Sequence, residues 1–165
     1  MNINIKDILQ YYLAQLELTV SKIPADMFSL SLTEGMLTLE MNAKVAANMA
    51  LRGYCPLVGK DVVSFFTEQS DKQSVQQQIS QSLAYLDKLP EIGHIDEQQL
   101  IKDKAGFAEV ALPPSAFIHQ YILPNFYFHI SMVYAIARAN GVELSKGNFD
   151  GFHSYPSGFS FLTSP

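Results

Sequence analysis

The stretch "LPNFYFHISMVYAIARANG", Leu123 to Gly141, sets a single histidine in the middle of one of the most apolar segments of the chain. At about 100° per residue, Ile122, Asn125, Phe126, Met132, Val133, Ile136 and Asn140 fall on the side of His129. Gln120, Tyr127, Ser131 and Arg138 fall opposite. The spacing predicts a helix that turns His129 inward, with Asn125 one turn earlier on the same face. Gly141 supplies a C-terminal stop. "PPSAF" opens the helix upstream, because proline suits a first helical turn, and Pro124 inside it predicts a kink.

This helix lies within 28 consecutive residues, Val110 to Ala137, that hold no Lys, Arg, Asp or Glu. A spanning helix needs only about 20 apolar residues. The run also contains Pro113, Pro114, Pro124, His119, Gln120, Asn125 and His129, which are costly in lipid. A buried central helix of a bundle explains it better, and no membrane partner is expected.

Three more helices follow from the pattern. Helix one, about Asn4 to Lys22, repeats Ile5, Ile8, Leu9, Tyr12, Leu13, Leu16 and Val20 at three and four residues, and Pro24 stops it. Helix two is read from Ser31 or Thr33, where "SLTE" has the form of a capping box, to about Gly53. It is apolar nearly all round, as a helix buried on several sides is. Helix three takes Asp71 as N-cap, carries Val75, Ile79, Leu83 and Leu86, and stops at Pro90. From Glu91 to Leu112 the helical period vanishes, and "QQLIKDKAGFAEVAL" reads as two short extended pieces about a turn at Asp103–Gly106. The tail from about residue 147 to 165 carries Phe149, Phe152, Tyr155, Phe159 and Phe161, rings expected to pack back on the bundle or across a dimer interface. All 165 residues make one domain.

Composition narrows the partners. Charged residues are 16% of the chain, against about 25% in an average soluble domain. Such a surface favours self-association. The net charge is −5 with no Lys/Arg cluster, so nucleic-acid binding is not expected. Cys55 is the single cysteine, which excludes an intrachain disulfide and any CxxC motif. "MNINIKDILQ" has no basic segment followed by an apolar run, so the expected compartment is the cytoplasm.

Chemistry-bearing residues are sparse. His94, His119 and His153 form no HxxxH or HExxH pair, and phosphate loops and nucleophile elbows are absent. An inward His129 with Asn125 is either a satisfied core group or the lining of a ligand cavity. In the first case Asn125 would give its amide to the carbonyl freed by Pro124.

"PADMF" at 24–28, the Leu/Ile-bearing helix three and above all "LPNFYFHISMVYAIARANGVELSKGNFDG", Leu123 to Gly151, resemble an uncharacterised bacterial domain-of-unknown-function family of the DinB/YfiT-like superfamily. The resemblance implies an all-α fold, an up-down-down-up four-helix bundle, commonly a homodimer. Metal-dependent members of the superfamily hold a divalent ion on three histidines, one from helix two and two from helix four spaced i, i+4. Some relatives are thiol-dependent transferases or isomerases. At the helix-four pair this chain has Asn125 and His129, and its helix two has no histidine. The inward polar candidates there are Lys44 and Asn48, with Glu40 near the edge. One imidazole, an amide and a lysine are a poor cage for Zn²⁺ or Ni²⁺. The expectation is therefore a degenerate metal site without a bound cofactor, in a dimeric small-ligand-binding or structural module. Asn125, His129, Lys44 and Asn48 are its ligand-binding candidates. The alternative is a transferase-like enzyme with His129 as general base or metal ligand and the tail aromatics as a lid.

Overall fold

A computed structural model of the chain describes residues 4–162. Four long helical segments form the bundle: α1 (Ile5–Lys22), α2 (Leu39–Leu57), α3 (Lys72–Lys88), and a composite fourth. The fourth begins as α4 (Pro114–Ala116), widens into a π-helical stretch (Phe117–Ile122) and continues as α5 (Leu123–Ala139). A two-stranded antiparallel hairpin, β1 (Ile101–Ala105) and β2 (Ala108–Leu112), precedes it, and the short α6 (Lys146–Asp150) follows. This is the four-helix bundle with an intervening hairpin that the sequence predicts.

Local chemistry explains most boundaries. The Asn4 side chain accepts from the backbone N–H of Lys6 and caps α1. Asp71 does the same for Ser74 at 2.7 Å and starts α3. The hairpin pairs Ile101 with Leu112 and Ala105 with Ala108, and Gly106 takes the positive φ of +60° that the tight turn demands.

The predicted start of α2 is corrected. The "SLTE" residues form a turn closed by the Met36 N–H on the Thr33 carbonyl, and Ser31 bridges Thr38 across it. Gly35, at φ +83°, breaks any helix there. Thr38 is the true N-cap, accepting from Met41 at 3.2 Å. The loop also satisfies the first turn of α2, because Leu39 and Glu40 donate to the carbonyls of Leu30 and Phe28. The helix then runs past Gly53 and takes Pro56 into its last turn.

The core gathers Leu9, Leu13, Leu16 and Val20 of α1, Leu39, Ala43, Ala46, Ala50 and Leu51 of α2, Val75 and Ile79 of α3, and Phe126, Val133 and Ile136 of α5. Tail residues Phe149 and Phe152 pack on α1, at Tyr12 and Tyr11, and the Tyr11 hydroxyl donates to the Asp150 carbonyl at 2.8 Å. Tyr155, Phe159 and Phe161 instead cluster with one another, and Phe161 stays 79% exposed. Residues 163–165 of that tail lie outside the described residues.

Small residues let α2 approach the fourth segment. A Cβ placed on Gly53 would sit 2.5 Å from Cγ2 of Ile122, itself fully buried. Helix propensity alone favours alanine over glycine by about 1 kcal/mol. Overpacking a closed core costs about 1–3 kcal/mol, and Ile122 has nowhere to retreat. Gly53→Ala should therefore lower stability by up to about 2 kcal/mol in urea unfolding; a stabilised variant would show that the contact yields.

Candidate functional site

α5 presents His129 on the shoulder of its buried stripe, half-buried and beside the exposed Phe128. The deepest line of α5 runs instead through Phe126, Ile130, Val133 and Ala137. His129 Nδ1 lies 2.9 Å from the side-chain oxygen of Asn42, which projects from the first turns of α2. The Asn42 amide nitrogen donates to the carbonyls of Leu37 at 3.1 Å and Thr38 at 2.9 Å. With its N–H₂ so committed, Asn42 can offer the imidazole only an acceptor. Nδ1 must therefore carry the proton. That leaves Nε2 as a bare lone pair, with no protein partner among the described residues. Burial pushes the His129 pKa below its ordinary 6.5, so the ring is neutral at pH 7.

Asn125, also half-buried, donates through its amide to the Tyr121 carbonyl at 2.7 Å. The expectation of a bond to the carbonyl freed by Pro124 is corrected by one residue: proline removes the α-helical bond to Gln120, not to Tyr121. The Asn125 oxygen has no protein partner among the described residues. Two acceptors, His129 Nε2 and Asn125 Oδ1, thus stand one turn apart on α5.

Lys44 and Asn48 are inward as expected, but they serve another interface. Lys44 is 1% exposed and gives its three ammonium protons to the Glu40 carboxylate at 2.8 Å and the carbonyls of Thr67 at 2.9 Å and Gln69 at 2.6 Å. Asn48 accepts from Ser64 at 2.8 Å and from Gln78 at 3.1 Å. Both tie the segment between α2 and α3 to the bundle, on the flank of α2 away from Asn42. The structure joins His129 to Asn42, keeps Asn125 one turn away on α5, and separates both from Lys44 and Asn48. Asn42 was the residue that sequence reasoning passed over, although it shares a face with Leu39, Ala46 and Met49.

The other candidates fall elsewhere. Burial pushes the Cys55 thiol pKa up, which suits an inert core group. Asp150 holds His153 through Nδ1, and backbone N–H groups of His153 and Phe152 hold the Asp150 pKa down at about 2. The tail rings proposed as a lid border Tyr134 and Arg138, whereas the ring against His129 is Phe128. The donor set around His129 is one imidazole and two carboxamides, and no group of three or more His, Cys, Asp or Glu converges among the described residues. Amide oxygens are weak ligands for the metals that choose imidazole, so these residues do not fit a three-histidine ion. No described helix is long and apolar enough to cross a membrane.

The lowered His129 pKa has a definite sign in stability. The unfolded chain takes up the proton near pH 6.5 and the folded chain resists it, so unfolding gains protons as pH falls. Stability should decline in the window directly below 6.5, and His129→Leu should flatten that part of the profile in urea unfolding against pH. An unchanged slope would mean that the ring is as easily charged in the folded state as in water.

Comparison with known proteins agrees with this architecture. A DinB family member protein from Shewanella denitrificans has a crystal structure that superposes with a TM-score of 0.73, covering 92% of each chain at 20% identity. At that identity the likeness is one of fold. No curated protein matches the chain. The family described as domain of unknown function DUF1993 matches residues 3–150. With nine-tenths of its length inside that match and a DinB-like bundle as its fold, the chain belongs to the DUF1993 family.

Proposed function

We propose that this protein is a metal-independent small-ligand-binding module that acts as a homodimer in the cytoplasm. The observation that carries the reading is the Asn42–His129 contact. The Asn42 amide, fixed by two carbonyls, accepts from the imidazole Nδ1–H, so the group offers a cation one imidazole lone pair and otherwise only amide oxygens, which are weak ligands for it. What remains for a ligand is a pair of acceptors, Nε2 and Asn125 Oδ1, bordered by Phe128 and Met132 on α5. A small apolar molecule with N–H or O–H donors suits them.

Dimerisation is supported by the surface around this pair. Leu32, Met36 and Leu37 lead into α2 and are 46%, 39% and 45% exposed, and Phe128 is 53% exposed. Leu37 carries the carbonyl that holds Asn42, so the apolar surface is continuous with the site. A second chain laid over it would wall in Nε2 and bury rings that water solvates poorly. A lone buried thiol is at home in a reducing compartment.

The partnerless, neutral Nε2 favours one further reading. A transferase-like enzyme could use it as a general base, since a histidine with a fixed tautomer and a lowered pKa keeps its lone pair available at pH 7. Lys44 has no part in that version, being saturated elsewhere.

One set of measurements tests the proposal. Untagged protein titrated with Ni²⁺ or Zn²⁺ should show no stoichiometric site, while Asn42→His with Asn125→His should gain one by assembling three imidazoles. In sedimentation the wild type should run as a dimer. A tightly held transition metal in the wild type would overturn the metal-independent reading, and a monomer at high micromolar concentration would overturn the dimer.

A further inference from the structure

We infer that the opposite end of the bundle holds a second binding site, a cleft for a small organic ammonium with an apolar body. The segment between α3 and β1 has no regular structure, yet it is tied down at both ends. At its start the buried Lys6 donates to the Leu89 carbonyl at 2.7 Å and to Glu91 at 3.2 Å, and the Tyr54 hydroxyl donates to the Pro90 carbonyl at 2.9 Å. At its far end Glu97 accepts from the Ser115 hydroxyl at 2.8 Å. Between the tethers the chain stands off the bundle and walls two adjoining cavities of about 570 Å³ each, which share Leu57, Glu91, Ile95 and Pro114. That volume falls within the range of small-molecule sites.

The lining sets the ligand class. Leu57 and Ile118 form an apolar floor, and Ile95 stands half-buried across from them. The charged groups are Glu91, Asp96 and Glu97 against the single Lys102, an acidic excess that remains after Lys6 neutralises Glu91. One Glu97 oxygen takes the Ser115 hydroxyl and N–H, leaving the other for an ammonium donor. The π-helical stretch adds an independent pointer, since π-turns gather at functional sites. Here it sets Ile118 and His119 into the cleft while its last residue, Ile122, is locked against Gly53.

This inference shares with the proposed function only the idea of a small ligand. Asn42 and Leu57 are 15 residues apart on α2, about 22 Å along a helix, so the two sites succeed or fail separately. The test is an amide-shift titration of the full chain with phenethylamine, with 2-phenylethanol as neutral and 3-phenylpropionate as anionic analogue. Phenethylamine should shift residues 91–97 and 115–119 saturably and bind tightest, with 3-phenylpropionate weakest. Glu97→Gln should weaken the amine about fivefold to tenfold and leave the alcohol unchanged, while Ile95→Trp should fill the cleft and abolish all three. Absence of saturation by any probe, or a preference for the carboxylate, would overturn the site. Amine shifts centred on residues 125–132 would also overturn it, while leaving the His129 reading intact.

Discussion

Asn42 is held by a choice it cannot make twice. A carboxamide has one donor end and one acceptor end, and the carbonyls of Leu37 and Thr38 claim the donor. The oxygen is thereby aimed at α5, where it meets His129. That one contact fixes the imidazole tautomer and leaves Nε2 without a protein partner among the described residues. The contact also depends on the loop before α2: its Leu30 and Phe28 carbonyls accept from Leu39 and Glu40 and fix the helix start, and its Leu37 and Thr38 carbonyls accept from Asn42.

The packing around it is equally constrained. α2 is a helix of three faces: buried alanines and Gly53 toward the composite fourth segment, Glu40 and Lys44 toward α3 and the connector, and a half-buried stripe of Met41, Val45 and Arg52 between them. A saturated buried ion pair on one side and a bare glycine on another leave the helix little freedom to roll. Arg52 adds a lateral tie, reaching Asp103 at 2.7 Å and the Lys104 carbonyl at 2.7 Å to hold the hairpin against the bundle. Removing one partner of a buried pair strands the other, so this geometry is hard to reach by halves and hard to leave.

Legibility in the sequence followed the range of the forces involved. α1, α3 and the hairpin carry local signals, namely a capping side chain, a 3.6-residue period and a proline or glycine stop, and these survive tertiary packing. The start of α2 did not, because two cap-like residues, Thr33 and Thr38, compete, and the loop carbonyls that decide between them come from Phe28 and Leu30. The π-helical widening has no residue signature; Pro124 announced only that the helix would be irregular nearby. His129 and Asn125 were visible as a pair from their four-residue spacing. Asn42 was not, because Glu40, Asn42, Lys44 and Asn48 on α2 are all buried or half-buried and only the packing shows that Lys44 and Asn48 face a different neighbour. The cleft beneath residues 91–97 was beyond reach, since an aperiodic segment does not reveal what it spans.

The central claim is that Asn42 holds His129 as a neutral ring protonated on Nδ1. Long-range ¹H–¹⁵N correlation on histidine-labelled protein at pH 7 reads that state directly. The account predicts a pyrrole-type shift for Nδ1 and a pyridine-type shift for Nε2, both lost toward the averaged values of free imidazole when Asn42 becomes Leu. A proton on Nε2, or a charged ring at that pH, would contradict it.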